Sequence, residues 1–184
     1  IQRNEYPFDF RGVIQHEVGG HAFGKLVDEY MYHGDFVDQC KCTCCEHDKE
    51  LLKRQSYGWA KNLSLNSSHY DVPWSHMIFD PQYSSYVEMY EGGFFHQRGV
   101  YRSEPNSCMN NNVPYYSAIS RQEMVERIMR YAGEEFSLDD FYANDVLDTY
   151  GNTATRSAVE ESLVISSGVG KQMPPKYMGE SPLK

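Results

Sequence analysis

The sequence predicts an α+β fold in one domain that spans residues 1–184 and that we expect to be part of a longer protein. Two observations support this fold class. Helical patterns occur near residue 10 and after residue 120, and they flank a long irregular middle with room for a few short strands. The chain of 184 residues contains 15 Tyr, 9 Phe and 2 Trp, which can bury a large apolar surface. A folded domain with a sizeable core is therefore expected.

The first predicted helix covers residues 10–27, with Val13, Phe23 and Val27 among its apolar residues. Each glycine in a helix costs about 1 kcal/mol relative to alanine. This segment contains four of them: Gly12, Gly19, Gly20 and Gly24. So many glycines in one helix indicate a packing or functional requirement.

The central part of the chain predicts little regular structure. Residues 30–50 resemble a polar, cysteine-bearing loop, and a short helix is predicted at residues 49–55. Residues 57–112 are rich in Tyr, Ser, Pro, Asn and Gly, which favours irregular structure with a few short strands or turns.

Regular helical patterns return in the last third of the chain. Ser120 and Glu123 have the spacing of a capping box, and Gly133 is a natural helix end. The predicted apolar face of this helix consists of Met124, Val125, Ile128 and Met129. A further helix is predicted to start at Ser137, and the sequence SLVIS (residues 162–166) predicts one strand.

Charge and hydropathy exclude two classes of partner. The net charge is −9 and the pI is near 5.2, so no nucleic-acid partner is expected. No segment approaches the roughly 18 consecutive apolar residues of a membrane span.

Five cysteines indicate the compartment. Four of them are clustered in CKCTCC, and the fifth stands alone: Cys40, Cys42, Cys44, Cys45 and Cys108. The cluster predicts disulfides in an oxidising compartment or a thiolate metal site in the cytosol. Its spacing matches neither the zinc-finger nor the ferredoxin pattern, which favours disulfides. Asn62 and Asn66 each begin a glycosylation sequon, which matters only in a eukaryotic secretory pathway.

The sequence HEVGGH at residues 16–21 differs from the zinc-peptidase motif H-E-x-x-H by one residue. His16 and His21 are five residues apart, which on a regular α-helix separates them by about 140°. A π-type turn absorbs one residue and would bring them together, and the pair Gly19–Gly20 makes a widened turn sterically easy. The alternative is one surface histidine and one core histidine on a poor helix.

A carboxylate can complete a two-histidine site and leave a fourth position for water. Gly24 follows His21 by three residues, so the helix could break there and the chain turn back toward the metal. Asp28 follows His21 by seven residues, and Glu29 could be the ligand in its place. Asp28 could also be an ordinary solvated acid.

The stretch HEVGGHAFGKLVDEY resembles the signature H-E-x-x-H-x-x-G-x-x-x-D-E-Y of the IgA peptidase family of metzincin-like zinc metallopeptidases. HE, H, G and DEY align once one glycine is treated as inserted. Downstream, YEGGFFHQRGVYRSEPNSCMNNN resembles the segment that leads to the Met-turn of that family. The resemblance covers residues 16–131.

The resemblance implies a metzincin-like catalytic domain with an active-site helix and a C-terminal helical subdomain. His16, His21 and Asp28 would be ligands of Zn²⁺, Glu17 the general base, and Met109 the hydrophobic floor of the Met-turn. The implied function is a zinc endopeptidase that hydrolyses peptide bonds of extracellular proteins or glycoproteins. We expect it to be secreted or to lie at the cell surface or in the periplasm.

Three departures from the family pattern accompany the resemblance. The inserted glycine changes the ligand spacing. Ser117 and Ser120 occur after the Met-turn where the family has cysteines, so Cys108 lacks a local partner. Only 15 residues precede His16, so part of the N-terminal sheet is expected to be missing or supplied by another segment.

Other polar residues near the second motif are weaker candidates. Tyr101 and Arg102 could stabilise an oxyanion, although a structural tyrosine and a solvated arginine are the simpler interpretations. The remaining histidines are interpreted as loop or surface residues, with His96 the first to test as an extra site group: His33, His47, His69, His76 and His96.

Two other functions remain open at this point. One is a catalytically inactive, metalloprotease-like binding module in which the inserted glycine has spoiled the site. The other is a structural domain whose only metal or redox feature is the cysteine cluster. Retention of Glu17 and Asp28 favours the enzyme.

Overall fold

The structure, a computed structural model, describes residues 10–31 and 46–145. Within these two ranges the architecture is α+β, as predicted. The elements are, in order, α1 (Phe10–Ile14), a π-helix (Gln15–Gly24), α2 (Glu46–Ser56), β1 (Leu63–Ser64), α3 (Ser75–Ile78), β2 (Tyr90–Gly93), β3 (His96–Arg102), α4 (Cys108–Asn111), α5 (Ala118–Ala132) and α6 (Leu138–Asn144).

The three strands form a small antiparallel sheet in the order β1-β3-β2. Tyr101 of β3 pairs with Ser64 on one side and with Glu91 on the other. An irregularity between Glu91 and Gly93 bends β2 just before the hairpin turn. The sheet follows the π-helix in the chain, and residues 1–9 lie outside the described residues.

The tip of the β2–β3 hairpin contacts the segment that follows the π-helix. Phe94 and Phe95 both have positive φ angles, 48° and 68°, which are uncommon for aromatic residues. The Phe94 N–H donates to the Asp28 carbonyl at 2.9 Å, and the Phe95 N–H faces the Tyr30 carbonyl at 3.5 Å. These contacts hold the strained turn against residues 28–30 and bring two aromatic rings beside them.

The described residues form two hydrophobic cores. The first core packs α3, α5 and α6 around two fully buried aromatic residues, Trp74 and Tyr83. The second core joins α2 and the sheet to the end of the π-helix segment and contains Val27, Leu51 and Leu63. The second core therefore anchors the residues that follow His21.

The first predicted helix is right in its start and wrong in its end and type. The α-helix covers only Phe10–Ile14, and the continuation Gln15–Gly24 is a π-helix. It ends at Gly24 rather than at residue 27 because Lys25 adopts a left-handed conformation, with φ 57° and ψ 26°. Residues 25–31 then run without regular secondary structure.

The helix predicted at residues 49–55 is longer in the structure, Glu46–Ser56. The irregular middle is confirmed, because residues 57–112 contain only short strands and two helices of four residues each. The cluster Cys40, Cys42, Cys44 and Cys45, together with His33 and the SLVIS segment, lies outside the described residues.

The capping box at Ser120 and Glu123 is wrong. Helix α5 starts at Ala118, and Ser120 Oγ lies 2.8 Å from Ser117 Oγ. Glu123 instead accepts the backbone N–H of Lys61. The Glu123 side chain therefore makes a tertiary contact with Lys61 instead of the local contact at the helix start that the pattern predicts.

The predicted apolar face of α5 is right only in part. Val125 packs against the first core, and Met124 and Met129 are half-buried. Ile128 is exposed, whereas Gln122, Glu123 and Arg127 are buried. The end at Gly133 is confirmed, because this residue has a φ of 77° and donates its N–H to the end of the helix. The helix start at Ser137 is also confirmed, because its side chain accepts the N–H of Asp140.

No helix in the described part of the chain has the length and apolar character needed to cross a membrane.

Candidate metal centre

The π-helix brings the two histidines of the HEVGGH motif to the same side. The Nε2 atoms of His16 and His21 lie 3.2 Å apart, although five residues separate them. A π-helix closes one turn with an extra residue, so positions i and i+5 become neighbours. The widened turn predicted from the motif is therefore confirmed.

Asp28 completes a cluster of three potential ligand atoms. Its Oδ1 lies 3.0 Å from His16 Nε2 and 3.1 Å from His21 Nε2. For a tetrahedral ion with bonds of about 2.0–2.1 Å, the ligand atoms lie about 3.3–3.4 Å apart. The observed separations are close to that value, and His16, His21 and Asp28 together could hold a metal ion.

The opposite nitrogen of each ring faces a backbone carbonyl. His16 Nδ1 lies 2.9 Å from the Cys108 carbonyl, and His21 Nδ1 lies 2.9 Å from the Leu26 carbonyl. A carbonyl only accepts, so each Nδ1 carries the proton and a neutral ring presents a lone pair at Nε2. Two such lone pairs and a carboxylate oxygen repel one another unless a proton or a cation lies between them. The donor set therefore fits a divalent cation that prefers imidazole and carboxylate ligands.

Burial differs between the ligands. The His16 side chain is 1% exposed, whereas those of Asp28 and His21 are 15% and 28% exposed. The cluster is closed behind His16 and open beside His21. Such a site leaves room for a water molecule or a substrate group on one side.

The charges in the cluster reinforce one another. Burial tends to raise the pKa of Asp28, but its short contacts with the imidazoles of His16 and His21 lower it to about 2. Burial tends to lower the pKa of His21, but Asp28, the Leu26 carbonyl and the charge of Glu17 raise it overall. Asp28 is therefore ionised, and its negative charge favours a cation at this position.

Close packing explains why the pair Gly19–Gly20 is needed in the π-helix. A Cβ atom on Gly20 would overlap the sulfur of Met109, and one on Gly19 would overlap the hydroxyl of Tyr116. Neither glycine has a positive φ angle, so the space and not the backbone conformation requires them. Met109 is fully buried and contacts Gly20, which lies between the two histidines in the chain.

Helix α4 connects Met109 to the ligands. The Ser107 side chain caps this helix by accepting the Met109 N–H. The next residue, Cys108, supplies the carbonyl that orients His16, and the Met109 carbonyl accepts the N–H of Glu29. One short turn thus contacts both the π-helix and the Asp28 segment.

Glu29 is not the third ligand. It is buried, and its carboxylate accepts hydrogen bonds from Asn62 Nδ2 and from Ser107 Oγ. Burial raises its pKa, and the hydrogen bonds from Ser107 and Asn62 offset only part of this effect. The Asn62 amide also exchanges two hydrogen bonds with the backbone of Val27, at 2.8 and 3.1 Å. Glu29 and Asn62 fix the chain on both sides of Asp28.

The side chains of the three residues in the DEY sequence make three different sets of contacts. Asp28 points to the histidines, Glu29 points into the buried polar network, and Tyr30 stacks against the His16 ring with centroids 6.1 Å apart. Tyr30 also contacts Phe95 of the hairpin tip.

Glu17, the predicted general base, is exposed on the π-helix next to His16. Its charge contributes to the raised pKa of His21. This position leaves its carboxylate accessible to solvent.

Tyr101 and Arg102, the speculative oxyanion donors, belong to the sheet. Tyr101 is half-buried against the first core. The interpretation of Arg102 as solvated is wrong, because it is buried and its Nη1 donates to the carbonyls of Glu91 and Gly92.

The other histidines lie in different surroundings. His69 is exposed and pairs with Glu88, as expected of a surface residue. His76 is half-buried on α3 beside Gln122. The surface interpretation of His96 is wrong, since it is buried in β3 with Nδ1 2.7 Å from the Phe94 carbonyl and Nε2 3.3 Å from Asp48.

Cys108 is a buried free thiol. Burial raises its pKa to about 12, which makes the thiolate unfavourable. Its backbone carbonyl, rather than its sulfur, contributes to the site.

Sequence reasoning missed three residues that support the ligands: Asn62, Ser107 and Tyr116. The sequence marks Asn62 only as the start of a sequon, whereas its side chain is buried and hydrogen-bonded to Val27 and Glu29. Tyr116 donates its hydroxyl hydrogen to the Gln15 carbonyl at the start of the π-helix. No local pattern marks these residues, because each contacts the site from a distant part of the sequence.

Comparison of the chain with known protein families and with curated proteins finds no match.

Proposed function

We propose that this protein is a metzincin-like zinc endopeptidase that acts on extracellular proteins or glycoproteins. The observation that carries the proposal is the convergence of His16 Nε2, His21 Nε2 and Asp28 Oδ1 within 3.0–3.2 Å of one another. The resemblance to the IgA peptidase signature assigns the same three residues to zinc. The proposal places the activity outside the cytoplasm.

The proposed zinc ligands are His16, His21 and Asp28. Bound zinc supplies a Lewis acid that polarises a carbonyl and makes a water molecule acidic enough to be deprotonated near neutral pH. Met109 packs beneath the ligand-bearing turn, and the carbonyls of Cys108 and Leu26 hold the two rings in the required tautomer.

Glu17 is the proposed general base. It accepts a proton from the attacking water and then gives this proton to the amine of the leaving peptide. Its exposure next to His16 in the chain supports this role, because a base must reach both water and substrate. His16 lies on the buried side of the cluster and is shielded from solvent.

Substitution of the base tests the proposal. We expect Glu17→Gln to lower kcat by about 10²–10⁴-fold, since a proton acceptor of this kind contributes that much. Zinc content, measured by mass spectrometry of the metal, should be unchanged in this variant because Glu17 is not a ligand. Glu134→Gln, an exposed position after α5, is the matched control and should retain full activity.

Three outcomes separate the candidate functions. Zinc-dependent peptide cleavage that is lost in Glu17→Gln and kept in Glu134→Gln supports the endopeptidase. Tight zinc binding without cleavage of any peptide library favours the inactive binding module. Cleavage that survives in Glu17→Gln would contradict the assignment of the base.

A further inference from the structure

An open cavity of about 770 Å³ begins at the candidate metal centre. Two of the ligands, His21 and Asp28, form part of its wall. The size lies within the range of about 300–1,000 Å³ that is typical of ligand pockets. A chain that presents a peptide bond to the cluster would place a neighbouring side chain in this cavity.

Three basic side chains line the cavity: Lys25, Lys53 and Arg54. Arg54 is already paired with Glu50, at 2.9 Å between Nε and Oε1. Lys25 Nζ lies over the ring of Trp59, 5.4 Å from its centroid. Neither Lys25 nor Lys53 forms an ion pair with a carboxylate in residues 10–31 or 46–145.

The charge balance of the cavity is opposite to that of the chain. Among the described residues, the carboxylates that line it are Asp28, in contact with the histidines, and Glu50, paired with Arg54. Within these residues the two lysines add positive charge that no ion pair neutralises, in a protein of net charge −9. A concave surface with an excess of one sign attracts groups of the opposite sign.

Aromatic rings form much of the remaining wall. Tyr57 and Trp59 contact each other with centroids 5.4 Å apart, and Phe94 and Phe95 come from the hairpin tip. Such walls pack against the methylene groups of a side chain while its polar end reaches the lysines.

We propose that this cavity is a specificity pocket for an acidic side chain, Asp or Glu, next to the scissile bond. Lys25 and Lys53 would bind the carboxylate, and the rings of Trp59 and Phe95 would contact its methylene groups. The inference rests on the proposed peptidase function for its place in the reaction, but binding to the pocket is measurable without catalysis.

The first experiment measures binding through Trp59. This residue lines the cavity, whereas Trp74, the other tryptophan, is fully buried, so peptide binding should alter the fluorescence of Trp59. Zinc-loaded Glu17→Gln protein is titrated with degenerate heptapeptide pools whose central residue is Asp, Glu, Asn, Gln or Lys. The Trp59→Phe variant identifies the origin of the signal.

We expect the acidic pools to bind about tenfold more tightly than the amide pools, and the difference to shrink as salt is raised. The double variant Lys25→Glu/Lys53→Glu should abolish this preference and favour the Lys pool. Arg130→Glu, a charge reversal at one exposed residue of α5 outside the cavity, should keep the preference. If the double variant does not fold, Lys53→Glu alone carries the test, because Lys53 is exposed on α2.

Equal binding of the Asp and Asn pools, or a preference that survives charge reversal, would overturn the pocket. A second experiment incubates the zinc-loaded wild-type protein with the same pools and maps the cleaved bonds by mass spectrometry. Cleavage without enrichment of Asp or Glu would contradict the specificity pocket and support the peptidase function. Acid-selective binding without cleavage would contradict the peptidase function and support the pocket.

Discussion

Asn62 holds the ligand segment from outside the ligand cluster. Its side-chain amide forms two hydrogen bonds with the Val27 backbone and one with the Glu29 carboxylate. Asn62, Val27 and Glu29 are all buried. A buried polar group without a partner costs far more than the average hydrogen bond contributes. Asn62 therefore positions Asp28 by holding the two residues on either side of it.

We expect Asn62→Ala to lower the free energy of unfolding by about 2–4 kcal/mol, because it leaves the buried Val27 N–H and one oxygen of the buried Glu29 carboxylate without a partner. Urea denaturation followed by circular dichroism measures this change. Asn66→Ala, at the exposed second sequon, is the control and should change stability by less than about 0.5 kcal/mol. Equal stability of the two variants would contradict the role given to Asn62.

Gly20 tests the packing beneath the histidines. Gly20→Ala places a methyl group against Met109 and should cost about 1–3 kcal/mol of stability through overpacking. It should also weaken zinc binding, measured by competition with a chromophoric chelator. Val18→Ala, on the exposed side of the same helix, should leave zinc affinity unchanged.

A smaller residue at position 109 makes the room that the new methyl group needs. We therefore expect Met109→Ala to recover part of the zinc affinity that Gly20→Ala loses. A double variant weaker than both single variants would contradict a steric origin of the loss.

At the residue scale, sequence reasoning identified the groups that are close together in the chain. His16, His21 and Asp28 lie within 13 residues, and their spacing is readable once a π-turn is allowed. Asn62, Ser107 and Tyr116 reach the site across 33 to 101 residues, and their types occur commonly in loops. Their roles depend on tertiary contacts that no local pattern encodes.

Among the elements, the widened turn and the end of α5 at Gly133 were predictable, whereas the start of α5 and part of its buried face were not. The π-helix follows from a local count of residues between two histidines and a glycine pair. The predicted capping box of α5 failed because the Lys61 N–H, from a distant segment, donates to Glu123. The predicted apolar face was right for Val125, which packs against the first core, and wrong for Ile128, which is exposed.

Glu123 of helix α5 should make the stability of the protein depend on pH. Burial raises the pKa of Glu123 from 4.5 to about 8, and the neighbouring Lys61 and Arg127 offset only part of this effect, while Glu126 adds to it. The folded protein thus holds a proton that the unfolded chain releases near pH 4.5. Stability from this group is complete below that pH and is lost as pH rises toward about 8.

We expect wild-type protein to lose stability relative to Glu123→Gln as pH rises from 5 to about 8. Above that pH the difference between the two should be constant. Urea denaturation at each pH, in a chelating buffer so that zinc binding does not contribute, measures the difference. Parallel pH profiles for the two proteins would contradict the raised pKa.

At the scale of the whole molecule, zinc should act as a stabilising ligand. The potential ligand atoms come from the π-helix and from residue 28, and they are supported by Asn62, the hairpin tip and α4. Zinc bound only by the folded state adds about 2.7 kcal/mol at a free concentration 100 times Kd. Differential scanning calorimetry should show a lower Tm after chelation and recovery when zinc is restored.

His21→Ala removes one ligand from the exposed side of the cluster and should make Tm independent of zinc. His69→Ala, at an exposed histidine paired with Glu88, is the matched control and should keep the full zinc response. A zinc-dependent Tm in His21→Ala would indicate that the ion binds elsewhere.

Zinc K-edge X-ray absorption on protein purified without chelators identifies the atoms that bind the metal. We expect a shell of about four nitrogen or oxygen ligands at about 2.0–2.1 Å, from His16, His21, Asp28 and one further ligand. Asp28→Ala should remove zinc or change that shell. A sulfur-dominated shell near about 2.3 Å would place the metal on cysteines and contradict the peptidase site.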